Sequence, residues 1–357
     1  MTNPLQELVL AGGPPSSTRS GVLTRAVVGC LALIATAWGT STWLPRPGDR
    51  LVERKQELLA AGASQARIVF LGNSLVYRHI DPEAFEQGLK AATGESWPTL
   101  NLGLPSMTAG EAYWWLRDIV DAPGERRPEY VILELAMLPE EAALNVHSER
   151  FRYWHGLTET ALMVRHALRA PGGTLQERLD CVTHHLEAFG DRVLARGVLV
   201  SPESNLTGDG ARLEEMVEAA GYQPLRLGKG RSDARHEYLL ANPQEFRAGL
   251  RSLRRGEGIG AAERAVAQAL LLKPLVDLCA DSDVRLIFSV SPTFQAVTWF
   301  YGGETELHGV PVIAFNDPRR HADLYEFGRW FDLGHLNEEA ARLYSSQLAE
   351  RVAALLE

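Results

Sequence analysis

Five short apolar runs constrain the fold of this chain more than any other feature. They read ARIVFLG at 66–72, TLNLG at 99–103, EYVILELAM at 129–137, VRLIFSVSP at 284–292 and VPVIAFN at 310–316. Short runs of this kind, bounded by turn residues, suit strands buried on both faces. Helical patterns separate them. Residues 81–91 form a helix with Asp81 as a possible N-cap and Pro82 at the first helical position. PSMTAGEAYWWLRDIV opens another, with Thr108 and Glu111 spaced as a capping box. Residues 336–356 make a long amphipathic helix. Strands alternating with helices predict a parallel sheet covered on both faces. The stretch from about 145 to 275 breaks that rhythm. It reads as mostly helical, with a possible strand at RVLARGVLV, and as an insertion that roofs the site or binds a partner. There is no internal repeat.

The N-terminal part has a different character. Residues 26–44, AVVGCLALIATAWGTSTWL, carry no charge and approach the roughly 20 residues a helix needs to cross a bilayer. Arg19 and Arg25 precede the run, and Trp38 and Trp43 lie toward its far end. The expected organisation is a disordered cytoplasmic tail over 1–25, a transmembrane signal anchor over 26–44, a helical stalk over 45–65, and one domain over 66–357 on the outer side of an inner membrane. A cleaved signal peptide and a buried helix are the other readings of such a run.

Charge and cysteine content narrow the remaining classes. The chain of 357 residues carries a formal charge of -9, with 36 basic and 45 acidic residues, and no basic block to track a phosphate backbone. A nucleic-acid partner is therefore not expected. Of the three cysteines, Cys30 falls in the apolar run. Cys181 and Cys279 allow one disulfide in an oxidising compartment. CVTHH at 181–185 places a thiol near two imidazoles without completing a zinc spacing, so no metal is expected.

Open parallel sheets bind ligands beyond the C-terminal ends of their strands. Ser74 follows the first run, in LGNSLVYRH, and Gly103 ends the second. WFDLGHLN at 330–337 precedes the last helix and holds Asp332 and His335. A serine hydroxyl is a poor nucleophile at neutral pH and needs an imidazole as its base, itself oriented by a carboxylate. Ser74 at a helix start also has unpaired N–H groups nearby to steady an oxyanion. The blander alternatives are Ser74 as a helix cap, Asp332 as a cap of the last helix and His335 facing solvent. Arg78 and Ser291 are further candidates for substrate contact. Trp114 and Trp115 are adjacent on a helix, so one is expected to pack and the other is available to stack on a sugar.

GNSL, NLGLPS and DLGHLN, in that order, resemble blocks I, II and V of the SGNH or GDSL hydrolase superfamily, above all its membrane-anchored branch linked to O-acylation of cell-surface polymers. The resemblance covers about 66–137 and 284–357. It implies a three-layer α/β/α domain, Ser74 as nucleophile, Asp332 and His335 completing the triad, and an oxyanion hole from the Ser74 and Gly103 N–H groups. It also implies acyl transfer or ester hydrolysis on a cell-surface carbohydrate, an acetyl group being the expected cargo. No cofactor is expected, and a membrane-bound O-acyltransferase is the expected partner. One departure stands out: the third strand should be followed by Gly-x-Asn, whereas this chain reads LELAMLPEE, with no asparagine before Asn145. A degenerate domain that binds polysaccharide or scaffolds an envelope complex is the alternative.

Overall fold

The computed structural model describes residues 24, 28–29, 32, 49–62, 65–123, 127–135, 149–169, 174–193, 210–228, 231–255, 268–294 and 305–356. The first part of the domain runs α1 (Arg50–Gly62), β1 (Ile68–Leu71), α2 (Ser74–His79), α3 (Pro82–Thr93), β2 (Thr99–Asn101), α4 (Ala109–Val120) and β3 (Tyr130–Glu134). The insertion supplies α5 (Glu149–Trp154), α6 (Leu157–Arg169), α7 (Leu175–Val193), α8 (Gly210–Glu218), α9 (Arg231–Ala241) and α10 (Pro243–Arg255). Then come a π-helical turn (Gln268–Leu272), α11 (Lys273–Ala280), β4 (Arg285–Val290), β5 (Glu306–Leu307), β6 (Val310–Ala314) and α12 (Glu338–Ala353).

The strands form one sheet in the order β2-β1-β3-β4-β6-β5. All five expected runs are strands, and β2, β1, β3, β4 and β6 pair in parallel. The sheet as a whole is mixed, which corrects the expectation of a purely parallel one. The two-residue β5 pairs antiparallel to β6, Glu306 opposite Pro311 and Leu307 opposite Val310. A hairpin this short carries too little apolar pattern to announce a strand.

Alternate side chains of each strand feed two apolar clusters. Val69 and Leu71 of β1 join Val52 of α1, Trp115 and Ile119 of α4, and Leu275 of α11 on one side. Ile68 and Phe70 join Phe85 of α3 and Tyr344 and Leu348 of α12 on the other. This is the period-2 alternation of a strand buried on both faces. Trp114 and Trp115 are both buried in the first cluster, 5.1 Å apart and edge to face. Neither is available to stack on a ligand.

The helix expected to be a stalk is docked on the domain. Lys55 of α1 is fully buried, and its Nζ donates to the Asn101 and Gly221 carbonyls, each at 2.5 Å, with the Tyr77 ring 4.9 Å away. Gly221 has φ +98°, and a Cβ there would fall on the Asn101 carbonyl oxygen. Gly221→Ala is therefore expected to cost about 2–4 kcal/mol, from left-handed strain plus overpacking. A lowered urea midpoint checks this; an unchanged one would mean that the α8 loop does not seat on β2 as described.

The insertion has its own buried polar chain. His155 Nδ1 lies 2.5 Å from the Phe151 carbonyl, so that nitrogen is the donor, and its Nε2 accepts from His185 Nδ1 at 2.8 Å. His166 is buried on α6.

No helix among the described residues is long and apolar enough to cross a membrane, so the anchored, single-pass reading is withdrawn, and with it the inner-membrane placement. Of the run 26–44, only Val28, Gly29 and Ala32 belong to the described residues; the rest lies outside them. The strand expected at RVLARGVLV also falls almost wholly outside. Cys181 and Cys279 are free thiols, not a disulfide.

Candidate active site

The chain leaves β1 and turns to one side for β2, then to the other for β3, so the strand order reverses at β1. The crevice at such a switch point lies beyond the strand's C-terminal end, and Ser74 stands there. Gly72 makes the exit possible: with φ +156°, a Cβ would lie 2.5 Å from the Glu134 Cβ of the neighbouring strand. Asn73, not Ser74, caps α2, its Oδ1 accepting the Leu75 N–H at 2.8 Å. The cap residue thus leaves the serine hydroxyl uncommitted to the helix.

That hydroxyl reaches across 261 positions of sequence. His335 Nε2 lies 2.9 Å from Ser74 Oγ, while His335 Nδ1 lies 2.9 and 3.1 Å from the two Asp332 carboxylate oxygens. The carboxylate can only accept, so Nδ1 carries the proton and Nε2 of the neutral ring accepts from the serine. Residues 330–336 hold this geometry as a tight loop. Trp330 bridges Leu336, the His335 carbonyl accepts the Phe331 N–H at 2.8 Å, and Asp332 Oδ1 accepts the Gly334 N–H at 2.7 Å. Burial alone would raise the Asp332 carboxyl. The His335 hydrogen bond and charge, the Gly334 N–H and the Arg235 charge outweigh it and hold the group at about 2.

His79 supports the same loop and has no signal in the sequence beyond its place on the buried face of α2. Its Nε2 accepts the Leu336 N–H at 3.0 Å, and its ring meets the His335 ring edge to face, centroids 5.9 Å apart. Burial first, then the His335 charge, push its imidazole well below the ordinary value, so it stays a neutral acceptor.

The donors for an oxyanion are arranged differently from the expectation. Ser74 is the first residue of α2, and its N–H has no acceptor within the helix. The Gly103 N–H is directed at Asn101 Oδ1, 2.9 Å away, while Asn101 Nδ2 donates to the Val76 and Ile80 carbonyls at 2.7 and 2.8 Å. Gly103 is a glycine for close approach: a Cβ there would lie 2.5 Å from the Tyr77 nitrogen. At the end of β3, Glu134 is buried and turned toward β4, taking the Ser291 N–H at 2.9 and 3.1 Å and the Ser291 hydroxyl. Ser291 also meets the Tyr344 hydroxyl at 3.2 Å and is fully buried, so it does not line the crevice. Ala136, Met137 and Asn145 lie outside the described residues.

Arg78 sits one turn after Ser74 on α2. It is half-buried, with its Nη1 donating to the Gln223 carbonyl at 2.8 Å and its guanidinium 4.5 Å from the Tyr77 ring centre. Arg235 of α9 approaches the other end of the triad, its Nη1 3.6 Å from Asp332 Oδ2. No group of three or more metal-ligating side chains is gathered among the described residues.

No family model matches the chain, and no curated protein is a significant match. The resemblance to the SGNH superfamily therefore does not stand as a family assignment. The polysaccharide partner and the membrane-bound donor enzyme inferred from it lose their support as well.

Proposed function

We propose that the chain is a serine-dependent acyl-transfer enzyme, cleaving an ester by way of an acyl group on Ser74. The observation that carries this reading is the continuous chain from Ser74 Oγ through His335 to Asp332. In the forward step, Ser74 Oγ attacks the ester carbonyl carbon as its proton passes to His335 Nε2. Asp332 keeps Nδ1–H in place and stabilises the imidazolium that forms. The tetrahedral intermediate collapses with loss of the alcohol, which takes the proton from Nε2. Water then attacks the acyl-serine by the same route in reverse roles; a hydroxyl-bearing acceptor in place of water gives transfer instead of hydrolysis. In this reading the Ser74 N–H, free of an acceptor within the helix, steadies the oxyanion.

A fluorophosphonate probe tests the reading directly. The full-length protein is expected to be labelled at one serine, identified as Ser74 by peptide mapping, and Ser74→Ala is expected to remove the label. A folded protein that resists labelling would instead favour a domain that binds an ester or acyl group without turning it over. The commitment of the Gly103 N–H to Asn101 favours that second reading, since it withdraws one oxyanion donor.

A further inference from the structure

The geometry points to an anion-binding subsite beside Ser74, built from Arg78 and Arg235, that selects esters carrying a carboxylate or phosphate close to the scissile bond. This assignment rests on the reading of Ser74 as the acylated residue.

Arg78 and Ser74 are four residues apart on α2, which stacks them on one face of the helix. The Arg78 head rests against the Gln223 carbonyl, at 2.8 Å, and the Tyr77 ring, 4.5 Å from the ring centre. No carboxylate among the described residues lies within ion-pair distance of it. A guanidinium has five N–H donors arranged as a fork that fits a carboxylate or phosphate, and the Gln223 carbonyl occupies only the Nη1 side.

The surroundings make this cation costly unless an anion joins it. Burial pulls the Arg78 guanidinium below its usual value; Tyr77 opposes it, the charges of Arg235 and Arg212 add to the lowering, and Tyr222 opposes it least. Arg78 in turn helps depress Lys55, after burial. Arg78 thus feels the charges of Arg235, Arg212 and Lys55 in a chain whose net charge is -9. Arg235 is more than half exposed, and Asp332 at 3.6 Å is its one ion-pair partner among the described residues. Asp332 already holds His335, so most of the Arg235 fork faces outward.

The test compares esters on the full-length protein. The set is 4-nitrophenyl acetate, which is neutral; 4-nitrophenyl hemisuccinate, with a carboxylate on the acyl side; 4-acetoxy-3-nitrobenzoate, with a carboxylate on the alcohol side; and acetylthiocholine, which is cationic. Each kcat/KM is divided by the ester's own rate with hydroxide. At low salt at least one anionic ester is expected to exceed the neutral one by about 10- to 100-fold, the range of a charge-assisted hydrogen bond. The cationic ester is expected to fall below the neutral one, and added sodium chloride to shrink the anionic advantage. Arg78→Gln should abolish the anionic-to-neutral ratio and Arg235→Gln reduce it several-fold. If Arg78→Gln does not fold, Arg235→Gln and the salt dependence decide.

Calorimetric titration with succinate and with inorganic phosphate separates the two anion sources and does not depend on turnover. Binding to the unaltered protein that weakens in Arg235→Gln supports the subsite even if Ser74 proves unreactive, in which case the acyl-transfer reading fails alone. Labelling of Ser74 together with equal corrected rates for neutral and anionic esters, and no binding of either anion, overturns the subsite and leaves the acyl-transfer reading intact.

Discussion

His335→Ala is expected to lower kcat/KM for a small activated ester by about 10⁴-fold, with the circular dichroism spectrum unchanged. The size follows from the unit the residues form. Among the described residues Nε2 is the one imidazole nitrogen placed on Ser74 Oγ, at 2.9 Å, so its removal leaves a neutral hydroxyl without that proton acceptor. Asp332→Asn should cost nearly as much, about 10³- to 10⁴-fold. An amide at that position can donate to Nδ1, which turns the ring to the tautomer whose Nε2 bears the proton and can no longer take one from serine. The double variant should be no worse than His335→Ala, because both act on one proton transfer. Steady-state kinetics on the three variants checks this. A His335→Ala protein within about tenfold of the unaltered one would exclude the triad as the catalytic unit.

The second large effect is on stability in acid. His155, His166 and His185 are all buried, and their imidazoles lie at about 3, 4 and 4. Burial is the leading cause for each, with the His185 charge adding to it at His155 and the His184 and His166 charges at His185. The sign follows from linkage. In the unfolded chain these rings take up protons as pH falls below about 6.5; in the folded chain they resist until about 4. The unfolded state therefore binds more protons across that window, and stability is lost as pH falls through it. At pH 5 the loss is about 2 kcal/mol for each ring, so on the order of 6 kcal/mol for the three, less whatever the His155–His185 hydrogen bond shares between them. Whole domains are stable by about 5–15 kcal/mol. Urea unfolding at pH 7.5, 6 and 5 should show the midpoint collapse. His166→Phe should flatten the dependence by about one third; an acid profile identical to that of the unaltered protein would mean that His166 titrates freely in the folded state.

Much of the sheet was legible because β1, β2, β3, β4 and β6 are largely buried on both faces, so that β1 and most of β3, β4 and β6 read as short apolar runs ended by turn residues. Asp81 capping α3 and Thr108 capping α4 were legible for a local reason, since a cap binds an N–H only three residues on. Ser74, Asp332 and His335 drew notice because each sits in a turn at the edge of such an element. What could not be read is what depends on contacts between distant segments. Nothing near His79 says that it will receive the Leu336 N–H, 257 positions away. Lys55 looks like any surface lysine on an amphipathic helix until Gly221 arrives to cover it. Ser291 ends a strand as an exposed site residue would, yet Glu134 and Tyr344 close over it.

The span of the Ser74–His335 bond also bears on the order in which the molecule acquires its properties. Ser74 and α2 belong to the first βα unit of the sheet. The His335 loop is fastened to them by distant bonds: Leu336 to His79, and Ser345 of α12 to the His79 carbonyl and the Asp81 N–H. Chains close short loops before long ones, because the entropy of closure grows with the separation bridged. Any form of the chain in which that loop is undocked has a chemically silent serine, whatever else has formed. A nucleophile whose base comes from so far away is harmless for as long as the chain around it is unfinished.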